Sequence, residues 1–117
     1  MSDVFLKMYV DAIHSGMIAD MGAERWQTLC VLAAFMNEKG ECYPSQDLIA
    51  QRLGVSREAA NRRIKRLYDY RWNGERLIEK RRIKSEKDKR FSKTIYRFRE
   101  PCPFSIFKGE QPTNGAM

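Results

Sequence analysis

The residues with the most specific chemistry in this sequence occupy a polar stretch that begins at Arg57. Apolar residues recur through it at Ala60, Ile64, Leu67 and Tyr68, which is the spacing of one helix face. Arginine can bridge O6 and N7 of guanine, asparagine can bridge N6 and N7 of adenine, and glutamate can accept from N4 of cytosine. The polar side of the stretch therefore offers base-reading groups, although a solvated amphipathic helix would show the same pattern. These groups are Arg57, Glu58, Asn61 and Arg62.

The residues in front of this stretch predict how it is positioned. Gly54 permits the positive φ of a tight turn, and Ser56 is a typical N-cap residue. We therefore predict one helix over residues 46–53 and a second over residues 57–70. The small side chain of Ala50 would let the two helices approach closely. Two helices joined in this way, with the second presenting its polar face outward, form a helix-turn-helix.

The N-terminal third of the chain predicts the element on which these helices pack. A β-branched and aromatic run over residues 4–10 could form a strand or the first turns of a helix, and it favours a strand that leads into a short helix over about 11–15. Residues 23–37 carry apolar side chains at helical spacing and predict a mostly buried helix. We expect the glycine within Lys39-Gly40-Glu41 to end that helix.

After the helices, the sequence predicts a β-hairpin. Asn73-Gly74 is a turn signal, and residues 77–84 and 94–99 then read as two strands around a charged loop. The expected fold is mainly α with a small β-sheet: a winged helix-turn-helix with a three-helix core and a basic β-hairpin wing. We expect residues 1–21 to form an extension, residues 22–100 the domain, and residues 101–117 a flexible tail.

Charge is distributed unevenly along the 117 residues. The net charge is +7, but residues 56–100 alone hold 17 Lys and Arg against 7 Asp and Glu, a net of +10. The remaining residues hold 5 against 8, a net of −3. A local excess of positive charge favours a polyanionic partner. A solvated basic surface is the alternative that composition alone leaves open.

The segment from Asn37 to Arg57, with its Gly40-Glu41-Cys42-Tyr43-Pro44-Ser45-Gln46 sequence, resembles a bacterial winged-helix family. That family occurs in plasmid, phage and integrative-element proteins of Gram-positive bacteria, among them replication initiators, replisome organisers and small regulators. The resemblance covers about residues 22–99 and implies double-stranded DNA as the partner. It does not imply one biological role. Because larger initiators add a second domain, we expect either a stand-alone module or a part of a longer protein.

The resemblance also implies roles for individual positions. The start of the second helix would contact phosphate through its amides, the start of the third would contact bases, and the end of the third and the wing would add phosphate contacts. The implied phosphate contacts are Ser45, Gln46, Lys65 and Arg66. The implied wing residues are Lys87, Lys89, Arg90 and Lys93. The bulky Tyr68-Asp69-Tyr70-Arg71-Trp72 departs from the short turn that is usual there.

Other classes of function find little support in the sequence. No nucleotide-binding glycine motif or nucleophile elbow is present, and His14 is the single histidine, so we expect no enzyme and no cofactor or small-molecule ligand. Three cysteines without C-x-x-C spacing predict no metal site and no disulfide framework. Without a signal peptide or an apolar run of about 18 residues, we expect a cytoplasmic location and no membrane partner.

Two questions stay open at this stage. The main alternative to DNA binding is a protein-protein interaction module, such as a replisome or partition accessory. RNA binding is a weaker alternative, because the sequence contains no aromatic-rich sheet motif on which bases could stack. Several apolar residues also have no evident place in a three-helix core. They could complete that core, as a strand beside the wing and a tail over the first helix. Alternatively, they could form a homodimer surface, in which case the DNA site would be repeated or palindromic. They are Phe5, Tyr9, Met17, Ile18, Met21, Phe104, Ile106 and Phe107.

Overall fold

The computed structural model describes residues 4–84, 92–99 and 102–108. These ranges contain four helices and seven short strands. In chain order they are β1 (Val4–Met8), α1 (Asp11–His14), α2 (Met17–Ala33), β2 (Glu41–Cys42), α3 (Gln46–Leu53), α4 (Arg57–Asp69), β3 (Arg71–Trp72), β4 (Glu75–Arg76), β5 (Ile78–Lys84), β6 (Ser92–Phe98) and β7 (Phe104–Lys108).

Helix α2 differs from the prediction at both ends. It begins at Met17 and is kinked at Gly22, whose φ of 85° and ψ of 167° are not helical. The helix that we predicted to start at residue 23 is therefore the segment of α2 after the kink. It ends at Ala33, and the predicted stop at Gly40 is therefore wrong. The chain instead turns at Asn37, where Oδ1 accepts from the amides of Lys39 and Glu41 at 2.8 and 3.1 Å. An asparagine side chain that bonds the backbone in this way competes with the helix.

The predicted pair of helices around Gly54 is confirmed. The hydroxyl of Ser45 accepts from the amide of Leu48 at 3.1 Å and begins α3. The hydroxyl of Ser56 accepts from the amide of Ala59, also at 3.1 Å, and begins α4. Gly54 ends α3 in the left-handed region with φ 75°. Each cap satisfies an amide that the first turn of a helix leaves without a partner.

The core forms where α2, α3 and α4 contact one another and the base of the sheet covers them. Every one of these parts contributes fully buried side chains, among them Leu29, Leu32, Ile49, Leu67, Leu77 and Ile78. Tyr70 closes the end of α4, where its hydroxyl donates to Asp20 at 2.7 Å.

Cys42 and Cys102 are buried, which raises the pKa of their thiols to about 12 and about 11, whereas Cys30 is only half-buried.

The main sheet has three antiparallel strands in the order β2-β6-β5. The predicted hairpin is present as β5 and β6, with Lys84 opposite Ser92, and its loop lies outside the described residues. Within the bulky segment that departs from the family pattern, α4 ends at Asp69 and β3 and β4 form a small hairpin around Asn73-Gly74. A helix-turn-helix combined with a small antiparallel sheet fits a winged-helix-like fold.

The two ends of the described chain pair with each other. Strand β1 runs antiparallel to β7, with Leu6 opposite Ile106 and Met8 opposite Phe104. The ring of Phe104 stacks on Trp26 of α2 at 5.2 Å, which agrees with the predicted tail over the first long helix. Phe104–Lys108, which lies within the range expected to form a flexible tail, is a strand in the structure, and β1 pairs with this strand instead of with the wing.

Two properties of the described ranges bear on other classes of protein. Within them, no helix combines the length and the apolar character that crossing a membrane requires. The same ranges bring no three metal-ligating side chains together.

The two positive-φ glycines of the helical core yield a test of the fold. A Cβ would meet no heavy atom within 4 Å at Gly22 or at Gly54, so an alanine at either position would cost backbone strain alone. We expect Gly54→Ala to lower the free energy of unfolding by about 1 kcal/mol. We expect Gly22→Ala to lower it further, within the range of about 1–3 kcal/mol, because its φ and ψ lie in a region that only glycine adopts readily.

Urea unfolding followed by circular dichroism measures both effects. The matched control is Gly54→Asn, which should lose less than Gly54→Ala because asparagine tolerates the left-handed region. A wild-type midpoint for Gly22→Ala would mean that the kink in α2 is absent in solution.

Candidate nucleic-acid interface

Helix α4 is held by a narrow buried stripe, and the two flanks of that stripe face different neighbours. Ala60, Ile64 and Leu67 are buried, which leaves ten of the thirteen residues outside the stripe. Arg57, Asn61 and Lys65 follow one another at intervals of four and therefore lie on one flank. This flank faces the sheet, and the opposite flank faces α2.

A groove of about 680 Å³ runs between the first flank of α4, the start of α3 and the hairpin. It is open and its walls are mainly polar. Its lining residues are Gln46, Arg57, Asn61, Ile64, Lys65, Tyr68, Asp69, Lys80, Arg82, Thr94 and Tyr96. We refer to this feature as the α4–sheet groove.

The structure thus brings together four of the predicted site residues. Arg57, Asn61, Lys65 and Gln46 all line the groove, although they come from two helices. Glu58 and Arg62 are exposed on α4 beside it, where no other described element covers them. Ser45 is exposed as well, and its hydroxyl is engaged as the cap of α3.

The sheet wall of the groove was missed by the sequence analysis. Arg82 pairs with Thr94 and Lys80 pairs with Tyr96 across the hairpin, so these four side chains lie on one face of the sheet. The alternation along the strand carried the signal, because Lys80 and Arg82 are two residues apart and must share a face. Which face turns toward α4 depends on the packing of the hairpin, and the alternation does not reveal it.

Aromatic side chains fix the floor of the groove. Gln46 donates from Nε2 to the hydroxyl of Tyr96 at 3.1 Å, which ties the start of α3 to β6. Burial raises the pKa of Tyr96, so its hydroxyl stays protonated in neutral solution. The ring of Tyr68 lies under two cations, with Lys80 Nζ and the guanidinium carbon of Arg76 each 4.5 Å from its centre.

The cations of the groove outnumber its carboxylate. Arg57, Lys65, Lys80 and Arg82 line it together with one acidic residue, Asp69. Lys65 Nζ lies 3.0 Å from the carboxylate of Asp69, and this hydrogen bond is the main reason that the pKa of Asp69 is lowered.

Both ion pairs at this groove are open to solvent. In the Lys65–Asp69 pair the side chains are exposed, and the same holds for Arg57, whose guanidinium lies 3.3 Å from Asp47 of α3. Exposed pairs of this kind contribute little to stability. These cations can therefore exchange their partner for a phosphate group at small cost.

One predicted phosphate contact, Arg66, and one predicted wing residue, Lys93, lie away from the groove. Arg66 belongs to the other flank of α4, where its guanidinium lies 2.8 Å from the carboxylate of Glu24 and lowers the pKa of that group. Lys93 lies on the opposite face of the sheet from Thr94, with Nζ 3.6 Å from the centre of the Tyr43 ring. Lys87, Lys89 and Arg90 lie outside the described residues.

Comparison with known proteins agrees with this arrangement. No curated protein and no solved structure matches the chain significantly. Residues 28–72 match a family model described as "Helix-turn-helix domain". The match begins within α2 and extends through α3, the turn at Gly54 and α4 to the end of β3. The elements that build one side of the groove are therefore similar to a helix-turn-helix domain, which suggests that this chain binds DNA.

Proposed function

We propose that this protein binds double-stranded DNA in a sequence-specific manner. The observation that carries the proposal is the α4–sheet groove, in which Asn61 can read a base edge while cations from both walls surround it. The excess of 10 positive charges in residues 56–100 supports the same partner.

In this proposal the exposed side of α4 enters the major groove, which is wide enough for a helix. Arg57, Glu58, Asn61 and Arg62 read base edges there. The hairpin acts as the wing, and Lys80 and Arg82 contact the phosphate backbone that borders the major groove. The predicted wing residues Lys87, Lys89 and Arg90 would add further positive charge to this contact.

We further propose that binding, without catalysis, is the biochemical activity, and that it acts in replication initiation or transcription regulation of a plasmid, phage or integrative element. The support is the Tyr43-Pro44-Ser45-Gln46 segment and its resemblance to proteins of such elements. Two copies would read a repeated or palindromic site with half-sites about one helical turn apart. Mapping bound sites across the encoding element tests the role, because origin repeats indicate replication and promoters indicate regulation.

A first prediction concerns salt. If the basic surface neutralises about five phosphates, the logarithm of the binding constant should fall with the logarithm of the salt concentration with a slope of about −4 to −5. Fluorescence anisotropy with a labelled duplex measures the slope. An absence of duplex binding at low salt would contradict the proposal and favour a protein-interaction module.

A second prediction separates the two walls of the groove. On a site selected from random duplexes, Asn61→Ala should cost roughly 1–3 kcal/mol and relax the preference at one or two base pairs. Arg82→Ala should weaken binding to all sequences about equally and reduce the salt slope by about 1.

Arg81→Ala is the matched control for Arg82→Ala. It removes the same charge from the neighbouring position, but Arg81 lies on the other face of the sheet, 4.0 Å from Glu41. We expect it to change affinity much less. Equal losses from the two variants would mean that only net charge matters and that the groove does not hold the backbone.

A further inference from the structure

An ion pair across the turn of the helix-turn-helix joins a proposed base-reading arginine to a carboxylate of the neighbouring helix. Arg57 is the first residue of α4, and its Nη1 lies 3.3 Å from Oδ1 of Asp47, the second residue of α3. The side chains are 59% and 76% exposed, so a duplex that sits on α4 can reach both of them. We call this contact the Asp47–Arg57 pair.

The geometry of the pair leaves the base-reading side of the arginine open. A guanidinium carries five N–H donors in a planar fork, and Asp47 contacts Arg57 only at Nη1. The adjacent donors of Nε and Nη2 remain available, and two such donors match O6 and N7 of guanine. The carboxylate can therefore hold one side of the fork while the other side contacts a base.

The charge of Asp47 acts against the competing contact, which is phosphate. Every duplex offers Arg57 a phosphate group, and that contact carries no sequence information. A carboxylate beside the guanidinium repels the full negative charge of a phosphate more than the partial charges of a base edge. Binding also withdraws the exposed pair from water, which strengthens the attraction within it. Asp47 thus disfavours non-specific contact and favours base reading.

The other ion pairs of α4 lack one half of this arrangement. Within the described residues α4 forms three such pairs, and the Lys65–Asp69 pair also lies at the groove. An ammonium is a compact charge without a planar fork, so a carboxylate beside it does not aim donors at a base. The Arg66–Glu24 pair does contain a guanidinium, but it faces α2.

We propose that Asp47 is a positioning residue that determines specificity: it holds Arg57 for guanine and keeps it from the phosphate backbone. The inference rests on the proposed function and deepens it, because it assigns sequence preference to a carboxylate that contacts no base. It also predicts a guanine at the position that Arg57 reads.

The ratio of specific to non-specific affinity tests this role. Fluorescence anisotropy would compare the site selected by the wild type with an unrelated duplex of the same length. In Asp47→Asn we expect tighter binding to the unrelated duplex without tighter binding to the selected site. The ratio should fall by about tenfold, which lies within the contribution of one bidentate arginine–guanine contact. Asp47→Ala provides a second variant with the same expectation.

Glu24→Gln is the matched control. It raises the net charge by the same amount and also separates an arginine of α4 from its carboxylate, but on the flank that faces α2. We expect both affinities to change alike and the ratio to stay at the wild-type value. Asp47 also lies in the first turn of α3, where a carboxylate stabilises a helix. That role alone would lower the thermal stability and leave the ratio unchanged.

A double-mutant cycle shows whether Asp47 acts through Arg57. In an Arg57→Ala background, Asp47→Asn should not lower the ratio further. Selection from random duplexes should show that Asp47→Asn and Arg57→Ala relax the preference at the same base pair.

Three results would overturn the inference: an unchanged ratio in both Asp47 variants, an equal fall in Glu24→Gln, or a further fall in the Arg57→Ala background. Each of them leaves the proposed function standing, because the wild type still distinguishes its site. A wild type that binds no duplex, or binds all duplexes equally, would instead contradict the proposed function and the inference together.

Discussion

The structure depends on the burial of three small or medium side chains of α4. Ala60, Ile64 and Leu67 form its whole buried stripe, and Ala60 is completely inaccessible. A stripe this narrow leaves most of the helix outside the core, yet it fixes the rotation of the helix about its axis. Rotation in turn decides which polar residues face the sheet and which face α2. A larger side chain at position 60 would overpack the contact with the neighbouring helices and displace the residues that we propose read bases.

The two flanks of α4 use similar residues for different purposes. On the α2 side, Arg66 pairs with Glu24 and Arg63 donates to Gln27 at 3.3 Å, so these side chains have partners on α2, although both contacts are open to solvent. On the sheet side, Arg57 and Lys65 have only exposed carboxylates nearby. The difference lies in the neighbours, because α2 supplies acceptors where the sheet wall supplies further cations. Position on the helix therefore decides which neighbouring element supplies the partners of each arginine.

Much of the helical fold could be predicted because its signals are local. Ser45, Gly54 and Ser56 act through hydrogen bonds and φ angles within a few residues, and the bounds of α3 agree with the prediction. The end of α2 was missed because the backbone already turns to i−3 hydrogen bonds at Phe35 and Met36, before the side chain of Asn37 and the glycine that resembled a stop. The pairing of β1 with β7 joins opposite ends of the chain, and no local pattern encodes it.

The same division applies to the groove. The sequence identified Arg57, Asn61 and Lys65, since helical spacing places them on one side of a single element. It assigned Arg66 to the same site because spacing alone does not show that Glu24 lies beside it. Lys80 and Arg82 were missed for a related reason: their contribution depends on how β5 packs against α4. Residues within one element are predictable from its period, whereas those contributed by a second element require the tertiary structure.

Positive charge limits how copies of this chain can assemble. The groove concentrates cations that repel another copy, so association through α4 or the hairpin would oppose the electrostatics that favour DNA. The ribbon of β1 and β7 offers no neutral surface that would avoid this conflict, because it carries Lys7 and Lys108 and no acidic residue.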